Sequence, residues 1–193
     1  MKTQWLLAVV MSSLFSLSVR ASAVTVDFEP GQTAIQWVLV GNVHTVHGTF
    51  KLEHGHITVD PQSGALGGEL VADAASGDSG NETRDKRMNK DVLQSDRFPE
   101  VKLLPRKLAR AVTLTGHSNV EVSGTFIVHG ESHEISVPLD IAIAGNAVTV
   151  KGKFSVPYVE WGMKNPSNLF FKVERSVEIE VRAVGHMVDG AKP

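Results

Sequence analysis

Period-two alternation of apolar and polar residues dominates the chain and is clearest in its last third. Across residues 120–129 the even positions Val120, Val122, Phe126 and Val128 are apolar, with Gly124 among them, while Glu121, Ser123 and Thr125 alternate with them. Such a pattern puts one row of side chains on a buried face and the other in water. Residues 133–144 repeat it: Ile135, Val137, Leu139, Ile141 and Ile143 lie opposite Glu134, Ser136 and Asp140, and Gly130-Glu131-Ser132 is read as the hairpin turn between the two strands. Val148, Val150, Phe154 and Val156 form the next row, reached through a turn at Gly145-Asn146. Phe171, Val173, Val177, Ile179 and Val181 form the last, with Arg175 interrupting it as an inward arginine that would need a partner.

The front half predicts strands near residues 33–40, 46–53, 56–60 and 66–74. Glu53-His54-Gly55-His56 and Pro61-Gln62-Ser63-Gly64 are read as turns. Between Ala75 and Pro105 the alternation gives way to a polar stretch from Asn81 to Lys90, read as one short helix. Asn81 or Thr83 caps it, and Pro99 ends the connection before a strand near residues 100–104. A meander of about eight strands with one apolar face must bury that face, by closing into a barrel or by packing two sheets, and closure also removes exposed edges. The expected fold is mainly β, a single antiparallel eight-stranded lipocalin-like barrel with one short helix. Gly68, Gly124 and Gly152 fall on inward rows, where they either leave space or mark bends.

The N-terminus reads as a cleavable secretory signal: Lys2, an apolar run from Leu6 to Val19, and Ala21-Ser22-Ala23 as the cleavage site. This divides the chain into a signal over residues 1–23 and a barrel domain over residues 24–193. The expected location is periplasmic or secreted. Removing Lys2 and Arg20 with the signal leaves 17 basic against 21 acidic residues, a net charge of −4. Without a basic surplus or stripe, nucleic-acid binding and bulk attraction to anionic membranes are disfavoured. The chain has no cysteine, which rules out disulfides and Cys-ligated metals.

Eight histidines invite a metal reading, but the pairs His44 and His47, His54 and His56, and His129 and His133 lack the acidic companions of a ligand motif. No metal or cofactor is expected. There is no Gly-x-Ser-x-Gly elbow, and the carboxylates alternate with lysines on solvated strand faces, so catalysis is not expected either. Asn81-Glu82-Thr83 fits the N-glycosylation pattern, with the helix cap the preferred reading. Residues 157–171 gather Tyr158, Trp161, Phe170 and Phe171 around Gly162, Asn165-Pro166 and Asn168. A loop stapled to the barrel end and a mouth lined with rings are both consistent with this segment.

Several stretches together resemble the YceI-like family of exported polyisoprenoid-binding proteins. They are Ser79-Gly80-Asn81 leading to Thr83-Arg84-Asp85-Lys86-Arg87-Met88, then Asp96-Arg97-Phe98-Pro99-Glu100-Val101, residues 43–50, residues 124–130, and Trp161-Gly162-Met163. The resemblance spans nearly the whole mature chain in family order. It implies an elongated lipocalin-like barrel beside a helix, enclosing a tunnel for an isoprenoid chain such as a polyprenyl phosphate or a quinone. Arg87 stands where the family usually has His, Val40 where a His is common, and Tyr158 where an Arg is frequent, which leaves the head group open.

On this reading the chain carries or stores a long lipid, with a possible stress-related role. The candidate ligand contacts are Trp37, Phe50, Phe126, Val128, Phe154, Tyr158, Trp161, Phe170 and Phe171. Arg84, Arg87, Lys164 and Arg175 are the head-group candidates, with Arg84 equally suited to holding the helix. The other readings are a filled barrel acting in stress or protein interaction, and a lipid-modifying enzyme. A monomer and a homodimer both fit.

Overall fold

A computed structural model describes residues 23–188; the signal segment apart from Ala23 lies outside the described residues. Nine strands run antiparallel: β1 (Val24–Phe28), β2 (Ala34–Leu39), β3 (Val46–Val59), β4 (Leu66–Asp78), β5 (Glu100–Leu108), β6 (Gly116–Val128), β7 (Glu131–Ala144), β8 (Ala147–Val156) and β9 (Val177–Val188). From β2 to β9 each strand pairs with the next, and β2 pairs with β9 to close the ring. The barrel nevertheless has eight staves. β1 and β2 both lie between β3 and β9 and follow one another along the same position, interrupted by the short turn Pro30–Gln32. The meander thus buries its apolar face by closing on itself, giving the expected mainly β barrel with a short helix.

Differences from the sequence reading sit at irregularities. Residues 53–56 do not turn: β3 passes straight through, and a register shift between Leu52 and His54 absorbs one extra residue as a bulge. A bulge bends a strand without ending it, so a break in alternation there mimics a turn. Gly55 is small because Phe28 of β1 lies over it, 3.1 Å from where a Cβ would stand. The hairpin between β6 and β7 turns on His129 and Gly130, with φ of 53° and 78°, one residue earlier than expected. Both central residues of a tight two-residue hairpin can take positive φ, because that twist matches the flanking strands. β9 begins at Val177, so Phe171, Val173 and Arg175 belong to the preceding loop and Arg175 is exposed, not inward.

The helix α1 (Glu82–Arg87) starts as expected, with Asn81 Oδ1 accepting from the Arg84 amide at 3.0 Å. It then widens into a π-helical segment, Met88–Leu93, that ends on left-handed Gln94. Asn89 Nδ2 donates to the Ala75 carbonyl at 3.1 Å and ties this segment to β4.

The two barrel ends differ. At the end carrying the 60–65, 109–115 and 145–146 connections, Leu108, Val120 and Val122 are buried and pack with Val59, Leu66, Val112, Leu139 and Ile141. Side chains fill that end. Gly68, Gly124 and Gly152 make no space: their missing Cβ positions are taken by the His56 carbonyl, the Leu104 carbonyl and the Leu139 side chain respectively. They mark close approaches of neighbouring strands.

Candidate functional site

At the opposite end the inward rows do not meet, leaving a cavity of about 1000 Å³ that opens beside the helix. Its wall follows from alternation along each stave. Ile35, Trp37 and Leu39 come from β2, and Val46, Phe50 and Leu52 from β3. Phe126 and Val128 on β6, Phe154 and Val156 on β8, and Val177, Ile179 and Val181 on β9 complete most of the circuit. Phe126 and Phe154 meet edge to face at 5.7 Å, a geometry aromatic pairs favour. Trp37 lies flat against Gly48, where a Cβ would overlap the indole. The absence of a side chain at residue 48 thus seats the largest ring of the wall.

Toward the mouth β7 and β8 separate, because their ladder runs only from Leu139–Gly152 to Ala144–Ala147. The turn after β8 fills the gap. Tyr158 and Met163 are buried in this cluster and line the cavity. Trp161 does not line it: the indole stacks on His133 of β7 with ring centroids 3.9 Å apart and 4° between planes, sealing the wall from behind Phe126. Phe171 stands at the rim, half exposed, whereas Phe170 points away into solvent at 75 % exposure. The loop after β8 is therefore both staple and mouth.

Tyr158 Oη donates to the Glu174 carbonyl at 2.8 Å, holding the loop's two ends together. Burial pushes this phenol up to about 12, with Arg175 pulling it down and Glu174 pushing it up by less. A raised folded-state value means the neutral form is the one the fold stabilises. That stability is whole below pH 10 and is lost as pH rises through 10 toward 12, on the order of 2 kcal/mol. Tyr158 is the chain's single tyrosine. Phenolate absorbance is thus expected to titrate near 12 in the folded protein, and Tyr158→Phe is expected to flatten the alkaline loss of stability. A midpoint near 10 in folded protein would contradict this burial.

The rim is polar and positively biased. Arg84, Arg87 and Lys164 line it, with His44 beside them and Asp91 as the one acidic side chain of the lining among the described residues. Arg84 is largely committed: Nε donates to Ser79 Oγ and Nη2 to the Ser79 carbonyl, both at 2.7 Å, while Ser79 is also held by Asp85. These contacts are hydrogen bonds to the turn, so Arg84 anchors the helix without an ion pair. Arg87, on the helix, and Lys164, on the loop after β8, both line the cavity and have no hydrogen-bond or carboxylate partner among the described residues. Arg175 lies outside the lining. Sequence reasoning did not pick out the contribution of Met88, Val92 and Leu93, although Met88 and Val92 continue at i+4 and i+8 the face that carries Arg84, because the stretch was read as one short polar helix ending near Lys90. Nor did it single out Asn165 or Asn168, although the Asn-Pro and Asn-rich turn chemistry was visible. Among the described residues no three His, Cys, Asp or Glu side chains converge as metal ligands.

A closed eight-stranded barrel, filled at one end and hollow at the other under a helix and a long loop, is of the lipocalin-like architectural class. The sequence matches the YceI-like domain family over residues 18–185, and the chain belongs to that family. Among solved structures it is similar to BcnA of Burkholderia cenocepacia, with a TM-score of 0.68 and 18% identity over 82% of this chain and 99% of that one. It is similar also to a polyisoprenoid-binding domain from Saccharophagus degradans implicated in plant cell wall breakdown, with a TM-score of 0.66 and 13% identity over 84% and 98%. A YceI protein of Campylobacter jejuni gives a TM-score of 0.52 and 17% identity over 67% and 79%. At these identities the likeness is one of fold. No curated protein matches the sequence significantly.

Proposed function

We propose that the chain is an exported, non-catalytic carrier or store for a polyisoprenoid-type lipid, held tail-first in the cavity with its head group at the rim, in a periplasmic or secreted setting and with a stress-related role. The observation that carries this is the asymmetry of the cavity, apolar and blind at depth and cationic only at its opening. The Saccharophagus domain's description as polyisoprenoid-binding supports the ligand class. A volume of about 1000 Å³ lies at the upper end of the roughly 300–1,000 Å³ of small-molecule sites. Burial of each methylene contributes about 0.8 kcal/mol before ordering costs. At a net of about 0.3 kcal/mol per non-hydrogen atom, about 30 carbons give about −9 kcal/mol, a submicromolar Kd. The room left between the inward rows at this end supports this reading over a filled barrel.

The test is native mass spectrometry of the purified protein before and after organic extraction, followed by reloading with geranylgeranyl monophosphate or geranylgeraniol. A co-purified lipid mass and reloading to one equivalent are expected. Arg87→Ala and Lys164→Ala are each expected to weaken the phosphate about tenfold or more while sparing the alcohol, since a hydrogen bond to a charged group is worth about 1.5–3 kcal/mol. A protein that is empty as purified and refuses both probes overturns the reading.

A further inference from the structure

Five large apolar side chains are exposed among the described residues: Val40, Val43, Leu169, Phe170 and Phe171. Scattered singly, such residues need no explanation. Here all five fall on two segments, 40–43 and 169–171, that are bound to one another at the rim of the cavity. Asn42 accepts from the Lys172 amide at 2.9 Å through its side chain and donates its own amide to the Lys172 carbonyl at 2.9 Å. Its Nδ2 also donates to the Phe170 carbonyl at 3.3 Å. Gly41 bridges Val173, and the Glu174 amide donates to the Val40 carbonyl at 2.9 Å. Asn168 Oδ1 accepts from the amides of Phe170 and Phe171 at 3.0 and 2.9 Å, fixing the backbone that presents both rings. The apolar tip is therefore held in place by its own hydrogen bonds.

Continuity and charge identify what meets this tip. Phe171, Val173 and residues 164–168 line the cavity on one side of the same loop whose other side carries Leu169 and Phe170, so whatever covers the tip adjoins the opening. Along the loop from residue 161 to 176 the charged side chains are Lys164, Lys172 and Arg175 against Glu174, with Asp91 on the helix side of the rim, and none of these three cations is ion-paired to a carboxylate among the described residues, although the whole chain is acidic. An apolar tip on a loop with cationic excess matches the layering of an anionic bilayer, whose charged head groups surround hydrocarbon.

We propose that the 40–43 and 169–171 tip is a membrane-docking surface, inserting Val43, Leu169 and Phe170 among the acyl chains of an anionic phospholipid leaflet. The cavity mouth then opens onto the hydrocarbon from which an isoprenoid would be drawn. This rests on the carrier reading, but its test is separable from it. Net negative charge disfavours attraction of the protein as a whole, so attachment is local and oriented.

The experiment is co-sedimentation of the protein with vesicles of phosphatidylglycerol and phosphatidylethanolamine, beside vesicles of phosphatidylcholine, with geranylgeranyl monophosphate loading measured separately without vesicles. Binding to the anionic vesicles is expected, and Val43→Ser combined with Leu169→Ser, neither of which lines the cavity, is expected to reduce it at least about tenfold with loading intact. Absence of vesicle binding by a protein that loads the probe overturns the docking surface and leaves the carrier reading standing. Vesicle binding without loading does the reverse. Binding equal in wild type and variant but abolished by salt assigns it to charge alone and overturns the inserted tip. A concentration-dependent dimer that the double variant dissolves assigns the patch to a second copy of the chain, and overturns it too.

Discussion

Ala72→Trp is expected to leave the barrel folded and weaken geranylgeranyl monophosphate binding about 100-fold. Ala72 lies between Leu52 and Val101 on one inward row across β3, β4 and β5, and all three side chains line the cavity. An indole placed there occupies space that about ten ligand carbons would otherwise fill. At about 0.3 kcal/mol per non-hydrogen atom the loss is about 3 kcal/mol. In a close-packed core the same substitution would be severely destabilising, because inserted atoms force side chains off their rotamers. Over a cavity it meets room. Calorimetric titration beside a thermal melt reads both quantities. A variant that binds as well as the parent would move the ligand out of this cavity, and one that unfolds would mean that the inward rows meet in solution.

Leu108→Ala is expected to lower stability by about 3 kcal/mol, within the roughly 2–5 kcal/mol of buried leucine truncations. For a chain of this size that is a fall of roughly 6–12 °C in Tm. Leu108 is buried at 3% exposure against Val120 and Val122 at the filled end. Leu103 is one inward position on the same strand that lines the cavity instead, and Leu103→Ala is expected to cost only about 1 kcal/mol, since part of its surface already lacks packing partners. Urea denaturation of the pair measures the contrast. Equal costs would mean that the two ends are equally packed.

That contrast was half legible in the residues. Val120, Val122, Phe126 and Val128 follow from alternation as inward, and the structure places them so, whereas Leu108 turns inward only because a bulge between Pro105 and Lys107 shifts the strand by one residue. Alternation says nothing about how far an inward side chain reaches. Whether opposite rows meet depends on barrel circumference and on which residues share a level, and both are set by the register of strands far apart in sequence. The bulge at residues 52–54 and the succession of β1 and β2 along one stave are of the same kind. Each is a pairing property, and the local pattern there reads as a turn or as noise.

The loop after β8 divides in the same way. Tyr158, Trp161, Phe170 and Phe171 were visible as a cluster of rings, yet they have four fates. Tyr158 is in the wall, Trp161 is behind it on His133, Phe171 is at the rim, and Phe170 is in solvent. No periodicity governs an irregular loop, so direction there is decided by what each ring meets. The separation of β7 from β8 receives Trp161, and Asn168 turns the backbone that presents Phe170.

By itself the sequence determined the fold class, the helix start with Asn81 as one of two candidate caps, most inward rows and the family, because these rest on local pattern and on residue type. Tertiary structure alone decided that one end of the barrel is filled and the other hollow, and that Arg84 is spent on Ser79 while Arg87 and Lys164 face the opening. It alone gathered the exposed apolar residues at the mouth. Those outcomes depend on distances between residues as much as about 130 positions apart, such as Asn42 and Lys172, which only the closing of the ring brings together.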